Sequence, residues 1–334
     1  MRLRTAMLLG VLVVLSVVLV PQAQGAPRPW TVLVGGGVAG TAVVSNAFQP
    51  RSVEVAVGDT VTWQFQQPWP LHTVTFTSGQ PVPPLTVQEG SKTYFNPDVF
   101  FPKGDKTHDG SGYRNSGIPP APEDPKTRFS YSLTFTRAGT YDYVCALHPG
   151  QAGRIVVRDR AAGSPAQAAA RGRSELAAVL KAGRAAFAGW RPQRQDTTVM
   201  LPMLGNVKER WSHFRFSREP VVVARGTTVT WVVRDPLEIH TVTFTSGGKV
   251  PEFIVVESQA QGPPKLLLNP KVGAPAGTQT YDGKGYANSG ILFPEGNPMK
   301  LPSSYSLTFT RAGRYEYYCV IHAPWGMKGT IVVQ

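Results

Sequence analysis

The sequence predicts an all-β protein built as two tandem Greek-key β-sandwiches joined by a linker with a short helix. Three observations predict it. The 334-residue chain contains itself twice. Each copy consists of short runs in which apolar residues alternate with Thr or Ser, and clusters of Gly, Pro, Asn and Asp separate those runs. The length by itself suits about two domains.

The repeat is read directly. Thr60-Val-Thr-Trp63 returns as Thr228-Val-Thr-Trp231, and Leu71-His-Thr-Val-Thr-Phe-Thr-Ser-Gly79 as Ile239-His-Thr-Val-Thr-Phe-Thr-Ser-Gly247. Asp109–Ile118 returns as Asp282–Ile291, each with an Asn-Ser-Gly segment (Asn115 to Gly117, Asn288 to Gly290) that reads as a tight turn. Tyr131–Gly139 returns as Tyr305–Gly313, and both copies close on Ile-Val-Val, at 155–157 and 331–333. A unit this long is a duplicated domain rather than a stacked repeat. In Tyr131–Gly139, Leu133 and Phe135 fall on one face of a strand, and Ser132, Thr134 and Thr136 on the other.

Ahead of the first copy, Arg2 and Arg4 precede an apolar run from Ala6 to Val20, and Ala23-Gln24-Gly25 offers small residues for cleavage before Ala26. This is the pattern of an export signal. The run is shorter than the ~20 residues of a spanning helix, so an uncleaved membrane anchor is the lesser reading. The resulting plan is a signal peptide over 1–25, a first domain over 26–158, a linker over 159–195 and a second domain over 196–334, in the periplasm or outside the cell.

Within the linker, Ala161 to Ala170 is small and polar, as a flexible connection would be. Ser174 then stands where it can cap a helix over Glu175 to Trp190, with Leu176, Leu180, Phe187 and Trp190 close to one face. Such a helix either packs across the junction or acts as a loose spacer. The formal charge is +13, and residues 158–194 hold eight Lys or Arg against Asp159 and Glu175. On an exported protein this favours acidic redox proteins, anionic headgroups or wall polymers as partners over nucleic acid, beside the plain reading of a solvated surface.

The chemistry lies in four residues per copy. The first has His72, then Cys145, His148 and Gln151; the second has His240, then Cys319, His322 and Met327. A remote His, a Cys-x2-His pair and a following Met or Gln form a mononuclear copper pattern, with two imidazoles and a thiolate in a plane and a weak axial donor above it. A soft thiolate suits Cu(I), and imidazole suits both oxidation states. An interdomain disulfide between Cys145 and Cys319 is the ordinary expectation for an exported chain, but it explains neither the repeated Cys-x2-His nor the repeated remote His. Zinc in the same donors stays open. His108 and His213 read as surface histidines.

Both copies resemble cupredoxins, the plastocyanin, amicyanin and azurin group. The resemblance rests on Leu71-His-Thr-Val, on Gly139-Thr-Tyr-Asp-Tyr-Val-Cys-Ala-Leu-His-Pro-Gly-Gln151 and on Gly313-Arg-Tyr-Glu-Tyr-Tyr-Cys-Val-Ile-His-Ala-Pro-Trp-Gly-Met327, and it covers nearly everything outside 158–195 and the leader. It implies two type 1 copper ions, one per domain, ligated by His72, Cys145 and His148 and by His240, Cys319 and His322, with Met327 axial in a plastocyanin-like loop. The first loop is two residues shorter and resembles the amicyanin loop, with Gln151 where Met would stand. Stellacyanins use Gln there. An amide oxygen is a harder donor than a thioether and favours Cu(II), so the first centre is expected at the lower potential. Trp325, inside the second loop, either shapes a docking patch or covers the metal.

Gly35-Gly-Gly37-Val-Ala-Gly40 matches a dinucleotide fingerprint, but the β-branched Thr41 to Val44 and then Pro50 follow it, so no crossover helix fits and no nucleotide cofactor is expected. The resulting expectation is an exported electron-transfer protein with a separate redox partner, acidic or membrane-bound, and an oligomeric state left open. The alternatives are a copper-handling or storage protein, which Met-rich runs would favour, and an oxidase or nitrite-reductase-like enzyme. The chain has six histidines, too few beyond the four assigned ligands for a trinuclear centre.

Overall fold

Period-two alternation makes one face of each strand apolar, and two such faces close on each other to form a sandwich. A computed structural model describes residues 26–37, 42–66, 71–119 and 128–334. The proposed leader, Pro70 and residues 38–41 of the glycine-rich run lie outside the described residues. Among the described residues, the first half forms a five-stranded sheet in the spatial order Thr107–His108, Ser130–Phe135, Thr60–Phe65, Pro29–Val34, Phe48–Gln49. Facing it is a six-stranded sheet ordered Ser52–Ala56, Ala152–Arg158, Gly139–Val144, Thr75–Phe76, Arg114–Ser116, Pro102–Lys103.

The second half repeats this arrangement. One sheet runs Trp211–His213, Thr198–Asn206, Thr228–Arg234, Ser304–Phe309, Thr280–Tyr281, and the other Val221–Val223, Lys328–Val333, Gly313–Tyr318, Thr243–Phe244, Ala287–Ser289, Pro275–Ala276. The all-β tandem sandwich expected from the repeat is therefore present. Leu133 and Phe135 face inward and are fully buried. On the outer face Thr134 and Ser132 share hydrogen bonds with Thr60 and Thr62 at 2.8 and 2.9 Å. Each core centres on a buried Trp with a Tyr edge-on to it, Trp63 with Tyr143 at 5.2 Å and Trp231 with Tyr317 at 5.1 Å.

Two strand pairings join the halves. Val43–Ser45 extends the second half's first sheet by pairing antiparallel with Trp211–His213, Val44 opposite Ser212. The hairpins Thr86–Glu89/Lys92–Phe95 and Ile254–Glu257/Lys265–Leu268 merge into one four-stranded sheet through Leu267 opposite Tyr94. In the repeat register Val44 corresponds to Ser212, and Tyr94 to Leu267. Each pairing thus joins equivalent positions of the two copies, as a local two-fold axis between them requires.

The connecting helix is longer than the sequence reading allowed. It runs Pro165–Ala188, 24 residues, and Ser164 caps it. Residues 165–170 of the stretch expected to be a flexible linker form its first turns, and Ser174 lies in its interior. Ser164 and Gln167 form a reciprocal capping box with Pro at the first helical position, which outweighs the small-residue composition. The helix packs across the junction. A Cβ on Gly172 would meet Gln49 O at 2.6 Å, and one on Gly183 would meet Val43 Cγ1 at 2.4 Å and Trp211 Cβ at 3.1 Å, so these glycines let the helix lie directly on both halves. Among the described residues, no helix is long and apolar enough to cross a membrane.

Candidate metal centres

In each half the second sheet delivers three donors to one end of the sandwich. The remote His sits just before a short strand, Thr75–Phe76 or Thr243–Phe244. The Cys follows directly on the adjacent strand, Gly139–Val144 or Gly313–Tyr318. The chain then turns back into the closing strand, bringing the second His over the same point. Backbone bonds fix that turn: Cys145 N–H donates to Gln151 O at 2.9 Å, and Cys319 N–H to Met327 O at 3.1 Å.

The donor atoms converge as the spacing predicts. In the first centre His72 Nδ1 and His148 Nδ1 are 3.0 Å apart, and Cys145 Sγ lies 3.8 and 3.3 Å from them. In the second, the His240–His322 separation is 3.3 Å, and Cys319 Sγ lies 3.7 and 3.4 Å from the two nitrogens. With metal–nitrogen bonds of about 2.0 Å and a metal–sulfur bond of about 2.3 Å, donors around one ion stand roughly 3–4 Å apart. Both triangles fit a single small ion, and all six residues are buried. Neither cysteine is in a disulfide.

The surroundings prepare a thiolate. Thr73 N–H donates to Cys145 Sγ, and Thr241 N–H to Cys319 Sγ, each at 3.4 Å. The hydroxyls of the same two threonines accept from Ala146 and Val320 N–H at 2.8 Å, pinning the start of each ligand loop to the remote-His segment. Burial alone would push both thiols up. The facing His148 and His72 instead hold Cys145 well below the usual thiol range, and His322 and His240 bring Cys319 down to about 5.

The two axial candidates differ. Met327 is fully buried, as a thioether can be without penalty. Gln151 is also buried, yet neither atom of its amide has a hydrogen-bond partner. A buried amide left unpaired is costly; an ion held beside it would pair its oxygen but leave Nε2 without an acceptor. Trp325 is half-buried with its ring 5.9 Å from His322 and 6.1 Å from Phe214, so it lies over the second ligand loop.

Three sequence expectations need correction. His108 and His213 are buried rather than on the surface. His108 sits in an aromatic slot of Phe76, Phe135 and Tyr141. His213 stacks on Trp211 at 4.6 Å and places Nε2 3.0 Å from Gly183 O of the helix. The two Asn-Ser-Gly segments are strand ends, not simple turns. Asn115 Nδ2 donates to Asp98, Val99 and Phe101 carbonyls, and its Oδ1 accepts from Thr75; Asn288 does the same for Lys271, Val272, Ala274 and Thr243. They brace the strand beside each remote His. Gly35, in the rejected fingerprint, lets the backbone pass His72, since a Cβ there would meet the imidazole at 2.4 Å.

The sequence reading did not single out Glu238. It is buried at 4% exposure, and its Oε2 lies 3.3 Å from His148 Nε2 and 3.4 Å from His322 Nε2. Burial would raise its carboxyl, but His148 and then His322 hold it well below the usual range. The available signal was slight: Glu238 stands two residues before His240, where the first copy has Pro70 before His72.

A duplicated β-sandwich with one buried His–Cys–His donor set at the loop end of each half defines a tandem cupredoxin with two candidate mononuclear metal sites. A family model described as copper binding proteins, plastocyanin/azurin family, matches residues 39–158 and 205–334, and the chain belongs to that family. Amicyanin of Paracoccus denitrificans is 30% identical over 115 residues, a match covering 34% of this chain and 61% of that protein's length. Structures of two amicyanin variants in the oxidised state are 20% and 22% identical, covering 43% of this chain and 91% of theirs with a TM-score of 0.25, too weak a likeness to bear on function.

Proposed function

We propose that the chain is an exported electron carrier with two type 1 copper sites. His72, Cys145 and His148 hold one ion within a domain over 26–158, and His240, Cys319 and His322 hold the other within a domain over 196–334. Gln151 and Met327 would each add a fourth donor to its set. When bound, copper supplies a one-electron couple. The residues supply a donor set that suits both oxidation states and a β-scaffold that moves little between them.

The observation that carries this reading is the pair of matched donor triangles, each with a buried sulfur already accepting a backbone N–H. Membership of the family of copper binding proteins supports copper as the ion. Among the described residues, the potential metal-binding clusters are these two, and His108 and His213 are engaged in aromatic packing, which disfavours an additional catalytic copper. The residues before Ala26 are the export leader, and the redox partner is acidic or membrane-bound.

The test is copper loading of the full chain. Two copper equivalents and an intense thiolate-to-copper visible band are expected. Cys145→Ser and Cys319→Ser should each remove about half of that band, and the double variant all of it. A colourless copper complex, or a band that survives the double substitution, would overturn the assignment.

A further inference from the structure

The two centres meet at the axis between the halves. With Nδ1 of His148 and of His322 turned to the donor triangle, the Nε2 of each ring reaches the same atom, Glu238 Oε2, at 3.3 and 3.4 Å, His148 from the first half and His322 from Glu238's own half. The other carboxylate oxygen, Oε1, accepts from Asn46 Nδ2 at 2.9 Å, and that amide also donates to Ser212 Oγ at 2.9 Å. The bridge thus draws residues from both copies: His148 and Asn46 from the first, Glu238, Ser212 and His322 from the second. The remote histidines have no such contact, and His72 Nε2 and His240 Nε2 are without a hydrogen-bond partner.

A ring that binds a metal through Nδ1 must carry its proton on Nε2, and a carboxylate acceptor there fixes that tautomer and the ring's orientation. One oxygen accepting two such donors joins the two ligand sets by a pair of hydrogen bonds. We propose that Glu238 is a positioning residue shared by both centres, and that His148–Glu238–His322 is the route by which an electron passes between them inside the chain. The inference rests on the copper reading above. The exchange moves one electron from the reduced centre to the oxidised one and moves no proton, each Nε2–H staying on its ring. Because both ring edges are buried against Glu238, neither is a docking face for an external partner.

The bridge is tested first without copper. In the metal-free and zinc-loaded full chain, ¹⁵N-histidine NMR should show Nε2–H signals from His148 and His322 that exchange slowly with solvent. Free exchange of both would overturn the bridge, whatever the copper result. In the copper-loaded chain, a flash-induced one-electron reduction should be followed by spectral transfer between the centres. Glu238→Gln leaves one acceptor oxygen where the two rings and Asn46 share two, so it should expose at least one Nε2–H to exchange and slow that transfer by about 10- to 100-fold. Asn46→Ala, which only loosens the carboxylate, should give a smaller slowing. Transfer at the wild-type rate in Glu238→Gln would sink the route. If no blue copper binds, the copper reading fails, while the histidine protons still report on the bridge.

Discussion

The two centres share one donor triangle, to within a few tenths of an ångström, and differ in the ligand loop and in the side chains packed against it at the junction. The first has a two-residue-shorter ligand loop and a buried, unpaired amide at Gln151. The second has Met327 and a ligand, His322, with Phe214 stacked on it at 4.1 Å and 19°. In the repeat register Phe214 corresponds to Asn46, which in the first half is a hydrogen-bond donor to the shared carboxylate. The comparison teaches that the copies keep the His–Cys–His set and the threonine and asparagine bonds that brace it, and differ in the following Gln or Met and in the side chains at the junction. One carboxylate reaches both sites, with Pro70 at the equivalent position of the first copy, and the pair Asn46/Phe214 is an amide bonded to Glu238 and a ring stacked on His322.

The strongest way to break that comparison is Phe214→Ala. Phe214 is 2% exposed and packs flat on a ligand ring, so its loss leaves a cavity beside the second centre only. A destabilisation of about 3–5 kcal/mol is expected. It should be seen in denaturant unfolding of the metal-free chain, and in the zinc-loaded chain metal should leave the second centre before the first. An unchanged midpoint, or earlier loss at the first centre, would show that the stacked ring does not distinguish the two sites.

His213 probes the same junction through pH. Burial lowers it from 6.5 to about 4, the bond to Gly183 O offsetting only part of that. The folded protein therefore takes up this proton at lower pH than the unfolded chain does. Stability is intact above about 6.5, falls as pH drops through the interval between 6.5 and 4, and loses at most about 3 kcal/mol from this group. His213→Gln should flatten that slope in thermal unfolding of the metal-free chain between those pH values. A slope identical to wild type would place the acid sensitivity elsewhere.

What was legible in the sequence follows from locality. Cys145 and His148, or Cys319 and His322, are three residues apart, so one turn must bring them together, and the duplicated His-Thr-Val-Thr-Phe segment flagged the remote ligand. The sheets were legible because alternation by two survives in any sandwich. Glu238 was not, because its partner His148 is 90 residues away and in the other half, and no periodicity records a contact across a domain junction. The burial of His108 and His213 is not legible because a polar residue type points to exposure, whereas one imidazole fills an aromatic slot and the other stacks on Trp211 with Nε2 against Gly183 O. The helix start was misplaced for a different reason: Ser164-Pro165-Ala-Gln167 is a complete capping signal, and alanine-rich composition is as good a helix as it is a linker.

The smallest expected effect, and the sharpest for the comparison, is an exchange of axial residues. Gln151 and Met327 occupy the same backbone position, each with its carbonyl accepting from the ligand cysteine and its N–H donating to the ligand histidine's carbonyl, at 3.1 and 3.2 Å. The side chain, and a ligand loop two residues longer in the second half, then distinguish the two positions. Gln151→Met should raise the first centre's potential and Met327→Gln should lower the second's, each by about 59 mV, a tenfold change for one electron. In the double exchange the order of the two centres should invert, and with it the direction in which an electron settles across Glu238. Potentials measured by spectroelectrochemistry, with the other centre silenced by Cys→Ser, check this. If both centres keep their order after the exchange, the difference between them lies in the second layer, in Phe214, Asn46 and Glu238, and not in the axial donors.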